Sequence, residues 1–123
     1  MMDAEDKAKY REILESFLEE VFSNTIAYAF LTVLRFHIKN ILGNDLIDCI
    51  LENPVEAYHA LYKVLGAVGA VRVLENAMTR YIESKYMISV DNKLLTKLKN
   101  GDNKAILDAA LKIYSLKRSR SQV

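Results

Sequence analysis

Two histidines, one cysteine, one proline, four glycines and no tryptophan are spread over 123 residues, and each scarcity excludes something. A single cysteine, Cys49, forms no internal disulfide, so nothing points to an oxidising compartment. His37, His59 and Cys49 are too few and too scattered for a metal cluster or a nucleophile–base pair. The glycines build no phosphate loop: Gly66 and Gly69 follow no strand pattern, and no Lys-Ser/Thr pair comes after them. Long apolar runs are missing too. The most apolar stretch, residues 26–42, is interrupted by Arg35, His37 and Lys39, which argues against a membrane span. Asp3, Glu5 and Asp6 make the start acidic, the reverse of a secretory signal, so the expected location is cytoplasmic. No catalytic, cofactor-binding or metal-binding residue can be named, and the expectation is a protein that is not an enzyme.

What is present is a helical pattern. Half of the residues are apolar and 27% are charged, as in an ordinary globular domain. Residues 3–22 carry Tyr10, Ile13, Leu14, Phe17, Leu18, Val21 and Phe22 at spacings of three and four, one apolar stripe on a helix. Ser23, Asn24 and Thr25 offer caps and a break. An unbroken helix over 3–42 would run about 60 Å, against a radius of gyration of about 14 Å for a globule of this length, so a bend at 23–25 is expected. Residues 25–42 are apolar almost all round, which predicts a helix buried on most of its surface or lying in a subunit interface.

Gly43 predicts a left-handed helix end, and residues 45–51 a short amphipathic helix. In Asn53-Pro54-Val55-Glu56 the asparagine is the expected cap and proline takes the first helical position, in a helix that stops at Gly66. Residues 67–86 form the next helix, where Ala67, Gly69 and Ala70 would allow close approach of a neighbour. Asp91 is expected to cap a helix of about eight residues ending near Gly101, and Asp102 a last helix from 103 to about 117. The predicted fold is all-α: a single compact bundle of about six helices over residues 1–116, with short connections and a possible helix-mediated dimer. Residues 117–123 read as a basic, disordered tail.

Residues 53–61 (Asn-Pro-Val-Glu-Ala-Tyr-His-Ala-Leu) are followed by Val64-Leu65-Gly66-Ala67-Val68-Gly69-Ala70, then Val73-Leu74-Glu75 and Tyr81-Ile82-Glu83-Ser84-Lys85-Tyr86. This order, over about residues 42–90, resembles the Nitrosopumilus output domain, a family of small archaeal helical domains of unknown function. Its members typically have a Pro-Glu-aromatic opening, a hydrophobic-Phe-Gly then Gly-Ala turn, a Leu-Glu pair and a closing Leu-Tyr-Glu-like segment. Leu65 stands where that pattern has an aromatic residue before the glycine. The resemblance implies an α-helical module that relays a signal, and it brings no catalytic residues.

The bland reading of each polar candidate is the stronger one. His37 is expected inside or at a core edge, His59 and Lys63 on a solvated face, and Cys49 as a small buried hydrophobe. Asp45, Asp48 and Glu52 share one polar helix face, and the tyrosines read as core-edge residues. Charge is uneven: residues 1–22 have seven acids and three bases, residues 88–123 eight bases and three acids.

Three functions remain. The first is a non-enzymatic interaction or signal-output module, expected to be a homodimer acting by protein binding, with a candidate interface at Phe22, Ile26, Phe30 and Val33. The second is a nucleic-acid-binding or acidic-partner-binding regulator using Lys93, Lys97, Lys99, Lys112, Lys117, Arg118 and Arg120 on two capped helices joined by a glycine turn. The third is a sensor whose small-molecule ligand fills an apolar pocket between helices.

Overall fold

The computed structural model describes residues 3–121, with side chains to Ser119. Six α-helices follow one another: α1 (Ala4–Thr25), α2 (Tyr28–Leu42), α3 (Leu46–Glu52), α4 (Pro54–Leu65), α5 (Val68–Tyr86) and α6 (Lys104–Ser121). A 3-10 helix, Thr96–Asn100, lies between α5 and α6, and the described residues contain no strand. The predicted all-α bundle is therefore the observed fold.

Two helices organise the packing. α1 touches α2, α3, α5 and α6, while α4 touches α2, α3, α5 and the 3-10 helix. The stripe read in α1 is the buried one: Ile13, Leu14, Phe17, Leu18, Val21 and Phe22 all lie in the core. Asp3 caps α1 by accepting the Asp6 amide at 2.9 Å. Gly43, Gly66 and Gly101 end their helices at φ of 75°, 89° and 79°, the left-handed region that glycine enters without a Cβ clash.

Several expectations shift. The bend falls at Ile26 and Ala27, not at 23–25, because Asn24 and Thr25 bond back to the carbonyls of Glu20 and Val21 and prolong α1. Asn53 gives no side-chain cap to α4, although Pro54 takes the first turn as expected. A Cβ at Gly69 would meet nothing within 4 Å, so the small residues of α5 mediate no close helix contact there. The expected helix over 91–101 is a turn followed by the 3-10 segment. Its Leu95 and Thr96 amides donate to the Glu75 carboxylate instead of to carbonyls of their own segment. α6 runs four residues beyond its expected end at Lys117, to Ser121.

The largest correction concerns α2. It buries only Leu31, Leu34 and Ile38, with Phe30 and Leu42 half-buried beside them. A single stripe meets α1 and α4, and among the described residues no further layer covers the opposite face.

Candidate functional site

That opposite face is the most distinctive surface of the chain. Val33 is 51% exposed and Phe36 63%, with Ile26 and Tyr28 at 50% and 52% before them, while Ile41, 42% exposed, lies at the α4 edge. Ala29, Thr32, His37 and Asn40 are exposed among them. His37 sits edge-on to Phe36 with ring centroids 5.6 Å apart. The expectation of a histidine inside or at a core edge is thus corrected: its turn of α2 points away from the bundle.

The four residues proposed from sequence as an interface divide. Ile26 and Val33 are exposed, whereas Phe30 is half-buried and stacks on Phe22 at 6.1 Å with ring planes 14° apart. Phe22 itself is 2% exposed and belongs to the core, so it is removed from the candidate interface. It ends the inner stripe of α1, four residues after Leu18, and that spacing carried the correct signal. Phe36 was missed, although it lies three residues after Val33 on the same face.

Beside this apolar face lies an ionic seam. Arg35 donates through Nε and Nη2 to the two Asp45 carboxylate oxygens at 3.0 and 3.1 Å, and pairs with Glu15 at 2.8 Å. Arg11 reaches Asp48 at 3.1 Å and Asp45 at 3.5 Å. Lys7 pairs with Glu52. Burial works against the charge of Arg35, but Asp45 and Glu15 more than offset it and raise its pKa. Asp45, Asp48 and Glu52 therefore share a face as expected, and that face meets cations of α1 and α2. Cys49 next to them is 2% exposed, its thiol pushed up by burial and then by Asp48, Asp45 and Glu56. A raised thiol is a poor nucleophile. His59 is exposed on α4, as read from sequence.

The basic residues of the C-terminal third are scattered among acids. Lys93 and Lys99 are exposed beside the 3-10 helix. Lys97 is held by Asp91, whose carboxyl is lowered chiefly by that contact. Lys112 donates to the Ser89 carbonyl at 3.3 Å, and Lys117 pairs with Glu20. Arg118 lies 5.6 Å from the Tyr114 ring, and the Arg120 side chain is outside the described residues. A surface cleft here is lined by Asp91, Lys97, Asp102, Lys104, Asp108 and Lys112, an even mixture of signs. α6 turns Ile106, Ala109, Ala110 and Ile113 into the core, and the segment before it is not an α-helix, so the expected pair of capped helices joined by a glycine turn is not formed.

Two carboxylates unremarked in the sequence prove structural. Glu75 is fully buried and accepts the Leu95 and Thr96 amides at 3.0 and 2.8 Å and the Thr96 hydroxyl at 2.6 Å. Glu20 accepts the hydroxyls of Tyr81 and Tyr86 and pairs with Lys85 and Lys117. Burial would raise its carboxyl, but Lys117, Tyr86 and Tyr81 prevail and hold it at about 2. Only the Leu-Glu order at 74–75 hinted at either role.

No helix among the described residues is long and apolar enough to cross a membrane. No family model matches the chain, and no solved structure matches it; the resemblance of residues 42–90 to the Nitrosopumilus output domain finds no support in either comparison. One similar protein is an uncharacterized protein of Archaeoglobus fulgidus, 35% identical over 108 residues, which cover 85% of this chain and 86% of that protein. The match spans nearly the full length of both, and the chain belongs to the same family as this archaeal protein.

Proposed function

We propose that this protein is a non-enzymatic helical interaction module that acts by binding protein, in its simplest form as a homodimer, through the outer face of α2. The observation that carries this reading is the group of exposed large apolar residues at α2: Val33 and Phe36 on its outer face, Tyr28 at its start and Ile26 in the bend before it. Monomeric proteins scatter such residues; a contiguous patch beyond a few hundred Å² is characteristic of an interaction site. The polar groups elsewhere are engaged in holding the fold, with Arg11, Arg35, Glu20 and Glu75 each tied to partners. A role in relaying a signal, as the Nitrosopumilus output domain resemblance implies, would use this face as the contact that passes the signal on.

The test is sedimentation of the wild-type chain and of Val33→Asp and Phe36→Asp across a wide concentration range. Both side chains are more than half exposed, so the variants keep the helical circular dichroism of the wild type. Each is expected to weaken association by about thirtyfold or more, the size of a hot-spot loss. A wild-type chain that remains monomeric, or association indifferent to both substitutions, removes the reading.

A further inference from the structure

We infer that the outer face of α5 binds the phosphate backbone of double-stranded DNA, with Arg72, Arg80 and the neighbouring Lys93 as its cations. This is a second binding face, and it does not depend on the α2 reading.

The inference starts from how α5 sorts its charges. The helix has two acids, Glu75 and Glu83, and three bases, Arg72, Arg80 and Lys85. Both acids hold the segment that follows. Glu83 accepts the Val90 amide at 3.1 Å, and buried Glu75 accepts the amides of Leu95 and Thr96. Residues 90–96 therefore run back along α5 from Glu83 toward Glu75, with Lys93 between the two tethers. Asp91, the acid of that segment, is taken by the Lys97 side chain and the Lys93 amide. The bases stay outside. Arg72, Arg80, Lys85 and Lys93 are exposed, and no exposed residue of α5 is an acid.

The cations differ in how firmly they are held. Arg72 lies 3.4 Å from a Glu75 oxygen that also accepts the Thr96 hydroxyl, and Lys85 lies 3.6 Å from Glu20. Arg80 has no ion-pair partner among the described residues. Arg72, Asn76, Arg80 and Ser84 follow at steps of four and form one ridge, with Gly69 and Val73 exposed beside it. The two arginines are about 12 Å apart along the helix axis.

Chemistry selects the partner. A guanidinium fork suits phosphate oxygens, and the Asn76 amide both donates and accepts. No aromatic side chain of α5 is exposed, so a single strand would find no ring on which to stack its bases. A lipid surface takes up the apolar stripe of a helix, and α5 has turned Val71, Leu74, Met78 and Ile82 into the core. A duplex carries one charge for about every 1.7 Å of its axis, so cations spread along the ridge meet phosphates in many registers. An acidic peptide would have to match their spacing with its carboxylates.

Fluorescence anisotropy of a short random-sequence DNA duplex tests this on the full chain. Three phosphate contacts give a salt slope of about −2.7, so doubling the salt should weaken binding about sixfold. Arg80→Ala is expected to weaken binding about tenfold and to reduce the slope by about one. Lys9→Ala removes an exposed charge from α1 and should leave both unchanged. Both side chains are exposed, and unchanged circular dichroism checks that each variant folds. Absence of binding at low salt overturns the inference, as does an equal loss in the two variants. Tighter binding of a single strand than of the duplex overturns it as well. Displacement by polyglutamate as effective as by unlabelled duplex at matched charge would mark a face for acidic protein and overturn the choice of DNA.

Discussion

Met87 carries the one positive φ found outside glycine among the described residues, at φ 55° and ψ 42°, where it ends α5. A left-handed conformation costs an L-residue about 1–2 kcal/mol, and the Met87 side chain, 85% exposed, recovers little by packing. Met87→Gly is therefore expected to stabilise the chain by about 0.5–1 kcal/mol after glycine's greater entropy loss is subtracted. A higher urea midpoint with an unchanged slope would show it; a lower midpoint would mean that the methionine is held by contacts this geometry does not contain. Nothing local betrays this strain, since a methionine before a short extended link reads as ordinary. By contrast Gly43, Gly66 and Gly101 were readable as helix ends, because only a residue without Cβ is indifferent to that region.

At the scale of elements, Glu75 turns a predicted α-helix into something else. Its carboxylate takes the amides of Leu95 and Thr96, twenty and twenty-one residues ahead, and so acts as the cap of the 3-10 helix from across the bundle. Glu75→Ala should cost about 2–4 kcal/mol by leaving buried N–H groups without acceptors, and Glu75→Gln less, because one carbonyl oxygen remains. Native-state hydrogen exchange gives the more specific readout: the Leu95 and Thr96 amides should lose protection in Glu75→Ala well beyond the change in α1. Unchanged protection at those two amides would refute the clamp. A long-range cap of this kind leaves no local trace, which is why residues 91–101 were read as a helix from Asp91, Leu94, Leu95 and Leu98 alone. The candidate interface was partly legible for a related reason. Val33 and Ile26 could be named, but Phe36 was not told apart from the apolar residues Leu34 and Ile38 on either side of it.

At the scale of the whole molecule, Glu20 fastens α1 to both α5 and α6 through Tyr81, Tyr86, Lys85 and Lys117. Its carboxyl sits at about 2 in the fold against an ordinary 4.5. A depressed carboxyl contributes stability that is complete above the unfolded value and is lost as pH falls through the folded one. The wild-type melting temperature is thus expected to fall between pH 4.5 and about 2, and Glu20→Gln to flatten that decline while lowering stability at pH 7 by about 1–3 kcal/mol. Parallel acid curves for the two proteins would contradict the assignment. The bundle as a whole was legible from helix periodicity, but this fastening was not, because sixty-one and sixty-six residues separate Glu20 from its tyrosines.

The seam at Arg35 has one more consequence. A half-turn of α2 about its own axis would bring Val33 and Phe36 inward in place of Leu31 and Leu34, but it would bury Thr32, His37 and Asn40 with them. The same half-turn would pull the Arg35 guanidinium away from Asp45 and Glu15. Polarity and ion pairs together set the rotational phase of α2, and with it which face the molecule shows to the outside.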